Sequence, residues 1–246
     1  MVLRVVVAGA GIGGLTLAHA LRRSGIGCVV HERDRGPEDT AGYRLHLTPE
    51  AFAVLREVLP PSRVRALRDC GTGNATFRHF AVLDHRGRTR LRLPVSHAGE
   101  VLLIGRRPLR QILARGLDIR WGSPVDGWEA AGGRVVLDDG TEADLLVAAD
   151  GTGSRLARRW VGRPTARPAG VVGIAGRADL PQRLPVGLRD GLVFMLGPYG
   201  VGAFLSAHAA RGRDPAAERP SVVWSVAVAN HRLALDPSAA APPALV

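Results

Sequence analysis

The chain has 246 residues, 46% of them hydrophobic and 22% charged, the profile of a soluble globular protein with room for a substantial core. Its formal net charge of +11 comes from 33 basic residues, every one an arginine, scattered through helices, strands and turns; a nucleic-acid surface would gather them on one element, so that class is set aside. Cys28 and Cys70 lack metal-ligand spacing, no apolar run reaches the roughly 18 residues that span a bilayer, and the N-terminus opens directly on a strand without a secretory leader. The expectation is a cytoplasmic protein with no metal and no membrane.

In chain order, Leu3 to Ala8 reads as a buried strand, followed by the turn Gly9-Ala10-Gly11-Ile12-Gly13-Gly14. Leu15 to Ser24 has helical spacing, with Arg22 and Arg23 near its C-terminus and Gly25 as its stop. Cys28 to Glu32 is a second strand, and Asp34 to Tyr43 a polar loop. Arg44 to Leu47 alternates as a strand does, and Thr48-Pro49 caps a helix over 51–59, with a shorter helix over 62–68. Thr76 to Leu83 and Thr89 to Leu93 flank Asp84-His85-Arg86-Gly87-Arg88 and form a hairpin that belongs to a different sheet.

Val101 to Leu113 returns to helical spacing. Ile119 to Trp121, Val125 to Trp128 and Arg134 to Leu137 read as a small antiparallel meander with a tight turn at 138–141. Ala143 to Ala149 is one continuous apolar strand running into Asp150-Gly151. From Pro164 the runs shorten, and 171–178, 191–196, 201–207 and 222–229 form one antiparallel sheet, ahead of an aperiodic tail over 236–246.

Two stretches carry chemistry. Gly9, Gly11 and Gly14 occupy the G-x-G-x-x-G positions, where glycines permit a tight turn, the approach of a pyrophosphate and close helix–strand packing. The helix that follows aims its free N–H groups at phosphate, and Glu32, 18 residues after Gly14, stands where an acid meets a ribose hydroxyl. Asp150 ends an inner strand, at the edge where open α/β sheets bind ligands; its bland alternative is a helix cap. His46 and His79 receive no role.

Together these stretches resemble the single-component FAD-dependent aromatic hydroxylases, the para-hydroxybenzoate hydroxylase family. Four segments carry the resemblance: the glycine turn with Glu32-Arg33; Gly42-Tyr43-Arg44-Leu45; Arg106 with Leu109 and Leu113, matching R-x-x-L-x-x-x-L; and 145–154, matching the internal Asp-Gly motif. The resemblance implies an α/β fold: a Rossmann-like FAD-binding domain of the glutathione-reductase type over 1–170, with the hairpin at 76–95 joining a partial antiparallel-sheet substrate domain over 171–235. It implies FAD held by Gly9, Gly11, Ile12, Gly13, Gly14, Glu32, Arg33, Arg44, Arg106 and Asp150, with NAD(P)H as co-substrate, O2 as oxidant and a small aromatic substrate. Solvated charges are the bland readings of Arg44 and Arg106.

The sequence departs from the family in two places. The arginine expected three positions after Ser154 is replaced by Ala157, and the later Gly-Asp motif is absent. The chain is therefore expected to be a portion of a longer enzyme or a shortened homologue completed by a partner chain. The competing readings are a non-catalytic FAD-binding remnant and a flavin-dependent halogenase or reductase on the same fold; a plain NAD-dependent dehydrogenase fits least.

Overall fold

A computed structural model describes residues 3–40, 42, 44–74, 78–96, 98–184, 186–189, 191–208 and 212–232. Tyr43, Thr76, Phe77 and the tail at 236–246 lie outside the described residues.

The centre is a four-stranded parallel sheet. β1 (Val5–Ala8) lies between β2 (Cys28–Glu32) and β11 (Leu145–Ala148), and β7 (Ile119–Trp121) extends the sheet beyond β2. All four residues of β1 are buried. Alternation along the strand divides them between two cores. Val5 and Val7 pack with Leu15 and Ala18 of α1 (Ile12–Arg23) and with Leu109, Ile112 and Leu113 of α4 (Arg106–Ala114). Val6 points the other way, toward Leu137 and Ala143. These belong to a small antiparallel sheet of β8 (Trp128–Ala131), β9 (Arg134–Leu137) and β10 (Glu142–Ala143). The result is three layers (helices, parallel sheet, antiparallel sheet) with the carboxyl ends of β1, β2, β7 and β11 along one edge.

On the helical side lie α2 (Pro49–Val58) and α3 (Pro61–Cys70). As expected, Thr48 caps α2, its hydroxyl accepting the Ala51 N–H at 3.3 Å. β3 (Arg44–Leu47) pairs antiparallel with β6 (Leu102–Gly105). The last sheet has six strands: β4 (His79–Asp84) and β5 (Thr89–Pro94) form the hairpin, and β12 (Val171–Asp179), β13 (Gly191–Leu196), β14 (Gly202–His208) and β15 (Ser221–Ala229) follow in sequence. Their order is β12-β15-β14-β13-β4-β5, with every neighbour antiparallel except β13 and β4. The hairpin thus joins the later strands. A short helix, α6 (Val186–Arg189), lies against β13 and β14.

Three expectations are corrected. Val101 to Ile104 is not helical: β6 is a fully buried strand paired to β3, and the helix starts only at Arg106. A four-residue apolar run has no period of its own, so its partner decides its form. Ile119–Trp121 leaves the antiparallel meander and pairs parallel to Val30–Glu32; the meander is instead made by β8, β9 and β10. Ala143 to Ala149 divides at Asp144, which accepts the Arg4 N–H at 2.7 Å while its own N–H bonds to Arg4 O. That clip ends β10 and redirects the chain into β11.

Candidate functional site

The glycine turn follows from steric necessity. Gly9 has φ +110°, and a Cβ there would collide with Ala149 O and lie 3.0 Å from Asp150 Cα. Its N–H bonds to His31 O at 2.7 Å, joining the turn to β2. A Cβ on Gly14 would strike Gly9 O, so helix and turn pack closely only with glycine there. Gly11 and Gly13 have open space beside them. Gly11 is the N-cap of α1, with no side chain capping the helix and no acid in its first turn. The first intrahelical bond runs from Leu15 N–H to Gly11 O, leaving the earlier N–H groups and the positive end of the dipole for an anion.

At this edge a cavity of about 520 Å³ opens, within the usual range for small-molecule sites. Of the residues expected to hold a cofactor, Gly9, Gly11, Ile12, Glu32, Arg33, Arg106 and Asp150 line it. Gly13, Gly14 and Arg44 do not. Gly14 lies beneath the turn. Arg44 instead donates from Nη2 to Ser221 Oγ at 3.0 Å, at the junction of the β3–β6 pair with the six-stranded sheet. Burial lowers its guanidinium to about 10, partly offset by the nearby carboxylate of Glu218, with Arg177 adding to the lowering.

The residue the sequence reading missed is Arg110. Its side chain is buried, 3% exposed, and it ties four segments together. Nε donates to Ala10 O at 2.9 Å, Nη1 to Asp34 Oδ2 at 2.6 Å and to Asp39 O at 3.3 Å, and Nη2 lies 3.2 Å from Glu32 Oε2. The guanidinium also stacks over the Trp121 ring, 5.2 Å from its centroid. Glu32 is held from the other side as well: Oε2 accepts the Ala10 N–H at 2.6 Å and Oε1 the Asp34 N–H at 3.0 Å. Three donors fix this carboxylate and leave acceptor capacity for one more. The available signal was helical spacing: Arg110 follows Arg106 by one turn.

On the opposite wall, Ser154 Oγ donates to Asp150 Oδ1 at 2.6 Å and accepts the Ala157 N–H at 2.8 Å. Ser154, not Asp150, is therefore the cap of α5 (Arg155–Val161), and Asp150 braces it at the cavity wall. Arg155 lines the same wall and pairs with Asp126. Gly42 lies against Arg106, so that a Cβ there would meet Arg106 Cδ at 3.5 Å. His31 reaches the cavity from β2, shares a 3.0 Å hydrogen bond with Ser123 Oγ, and is pushed by burial below the usual imidazole range.

Fold and cavity define an α/β protein of the dinucleotide-binding kind, with the glycine turn and the acid Glu32 at one sheet edge. The chain belongs to the FAD-binding domain family, whose model matches residues 2–240. It is 32% identical over 170 residues to the FAD-dependent monooxygenase dbaB of Emericella nidulans, covering 65% of this chain and 43% of that protein. It is 31% identical over 192 residues to the aurachin C monooxygenase/isomerase of Stigmatella aurantiaca, covering 73% and 48%. Among solved structures, a protein of Photorhabdus luminescens described as an FAD-containing monooxygenase superposes with a TM-score of 0.76 at 26% identity, covering 94% of this chain and 64% of that one. The 2,6-dihydroxypyridine-3-hydroxylase of Arthrobacter nicotinovorans shares the fold, with a TM-score of 0.71 at 20% identity and coverage of 93% and 57%. The resemblance to the flavin hydroxylases and the expected fold class are borne out. The chain spans less than half the length of the curated relatives it matches. Among the described residues no helix is long and apolar enough to cross a membrane.

Proposed function

We propose that this chain forms the FAD-holding part of a monooxygenase that hydroxylates an aromatic substrate with NAD(P)H and O2. The observation that carries this reading is the cavity at the carboxyl edge of the parallel sheet, where the uncapped start of α1 and the triply held Glu32 face one space. Backbone N–H groups of Gly11, Ile12 and Gly13 receive the pyrophosphate, and Glu32 accepts from the adenosine ribose. Arg33, Arg106 and Arg155 bring positive charge to the cavity, where Arg33 and Arg155 are partly answered by Asp34 and Asp126. Arg110 works through Glu32, holding its carboxylate and the Ala10 carbonyl in place before any ligand arrives. FAD, when bound, would supply the redox chemistry that links NAD(P)H to O2; the protein contributes binding, orientation and electrostatics.

The test is a titration of FAD with the purified chain. Quenched flavin fluorescence and shifted visible bands at micromolar protein are expected. An unaltered flavin spectrum at that concentration sinks the proposal. NADPH oxidation that rises with an added aromatic and yields a hydroxylated product by mass spectrometry would establish turnover.

A further inference from the structure

The six-stranded sheet ends on two unlike edges, β5 and β12. β5 is guarded in the way free edges commonly are: Arg90 and Arg92 stand in it, Pro94 closes it, and its register with β4 shifts between Val82 and Leu83. β12 has none of these devices from Val171 to Gly176, a run without charge or proline, and it pairs with β15 through all nine of its residues. Its charges come only at Arg177 and Asp179, and Arg177 turns back to Glu218, 3.5 Å away.

One bond fixes which backbone groups of β12 look outward. Asn230 N–H donates to Gly170 O at 2.9 Å, one step beyond the first pair of the ladder, Val171 with Ala229. Antiparallel partners alternate between bonded and non-bonded pairs. Val171, Gly173, Ala175 and Arg177 therefore turn their N–H and C=O groups away from β15. All four are exposed, and β12 has no second neighbour among the described residues. The even-numbered residues build an apolar face beside this edge, on the side of the sheet opposite Ser206 and His208. There Ile174 is 59% exposed, its ladder partner Val226 38% and Trp224 37%. The Trp224 indole lies over Gly176, where a Cβ would strike the ring, so glycine at that position lets the ring reach across the edge strand.

We propose that β12 pairs antiparallel with β12 of a second copy of this chain, about a twofold axis at Ala175, joining two six-stranded sheets into one. This centring overlaps the whole strand and respects the outward bonding phase: Ala175 meets Ala175, and Gly173 meets Arg177. On the apolar face it sets Ile174 opposite Gly176 of the second copy, against the indole that lies over that glycine. No like charges face each other, since Arg177 meets Gly173 and Asp179 meets Val171; an axis at Arg177 would oppose two guanidinium groups and shorten the overlap. The strand is its own complement, which makes a second copy the fitting partner and closes the contact at two chains. Two strand edges make an interface at the small end of the specific class, about 1,200 Å² or less, so association on the order of tens of micromolar follows.

The test is sedimentation velocity of the full chain from about 1 to about 200 µM, a span that brackets that constant. Wild type should run as the 26.0 kDa monomer at the dilute end and approach twice that mass at the concentrated end. Ala175→Pro deletes an N–H that points away from β15, the one place where a strand tolerates proline. It should stay monomeric throughout and melt like dilute wild type. Should it unfold, Ile174→Lys replaces it, with the same expectation. Ala175→Cys should give a disulfide-linked dimer under mild oxidation, whereas Leu91→Cys on the other edge should not. The proposal is overturned by a wild type that stays monomeric at the highest concentration, by association that survives in either folded variant, or by species heavier than a dimer. Cross-linking through Leu91→Cys as readily as through Ala175→Cys overturns it too.

Discussion

The parallel sheet and the six-stranded sheet handle buried polarity in opposite ways. Around the carboxyl edge of the parallel sheet, charged groups are sealed but paired: Arg110, Glu32 and Asp34 answer one another and the backbone of the glycine turn. His31 Nε2 is the exception there. The six-stranded sheet buries Ser206, His208 and Ser221 on one face yet leaves Phe194, Leu196 and Ile174 substantially exposed. The paired site is set before any ligand arrives; the sheet face instead keeps Ser206 Oγ and His208 Nε2 without hydrogen-bond partners among the described residues, next to the partly exposed ring of Phe194.

Substitutions can break this contrast, beginning with the largest effect. Gly9→Ala combines a positive φ that L-residues avoid with a collision against Ala149 O. Strain and overpacking at about 1–3 kcal/mol each should leave little folded protein, read as loss of a cooperative thermal transition. Next comes Arg110→Met, which keeps the bulk of the side chain but strands Glu32 and Asp34. Removing one member of a buried ion pair costs about 3–5 kcal/mol. A strong drop in Tm is expected, together with at least a tenfold loss of FAD affinity in whatever remains folded. Glu32→Gln in the Arg110→Met background should then recover part of the stability, since it removes the uncompensated charge.

The same contrast appears in what could be read from residues alone. The glycine turn, Glu32 and Asp150 were legible because each is a local device: a turn, a strand end, a strand end before a helix. Partner choice was not local. Nothing in Val101-Leu102-Leu103-Ile104 distinguishes a buried strand from the first turn of a helix until β3 comes alongside, and Ile119–Trp121 gives no sign of the parallel partner it finds in β2. The hairpin was recognisable, but not its parallel pairing with β13, where His79 lies opposite Gly191. Arg110 was hidden for a different reason. An arginine in a chain with 33 basic residues, all arginine, carries no individual signal until its guanidinium is seen to lie among Glu32, Asp34 and Ala10. Arg44 was named through its motif position, and its bond to Ser221, far along the chain, could not be read from that motif.

Packing offers a smaller test of the comparison. Val30 is fully buried between β1 and β7, whereas Ile174 on β12 is 59% exposed. Val30→Ala should cost about 2–3 kcal/mol through lost burial and the cavity left behind. Ile174→Ala, though it removes more atoms, should cost less than about 1 kcal/mol, because little of that side chain leaves water on folding. Chemical denaturation of both variants checks the order; equal losses would mean that the outer face of the six-stranded sheet is covered in solution.

The smallest effect expected is at the clasp between the regions. The connection from β14 to β15 is fastened to the end of α4 by Asp214, whose carboxylate accepts from Arg115 Nη2 at 2.7 Å and from Nη1 at 2.9 Å. The Arg115 hydrogen bonds hold the Asp214 carboxyl below its ordinary value of 3.8. A folded value below the unfolded one means that the pair stabilises fully above about pH 4, and that this contribution falls away as pH drops through the lowered value. Because Arg115 is partly exposed, the clasp contributes only about 0.5–1 kcal/mol. Asp214→Asn should therefore lower Tm slightly at pH 7, and the difference should shrink as pH falls below about 4 and through the lowered value. Amide exchange around 214–217 should quicken in the variant at neutral pH while Val30 on the central sheet stays protected. Quickening at both places would show that the two sheets unfold as one unit rather than being joined at this clasp.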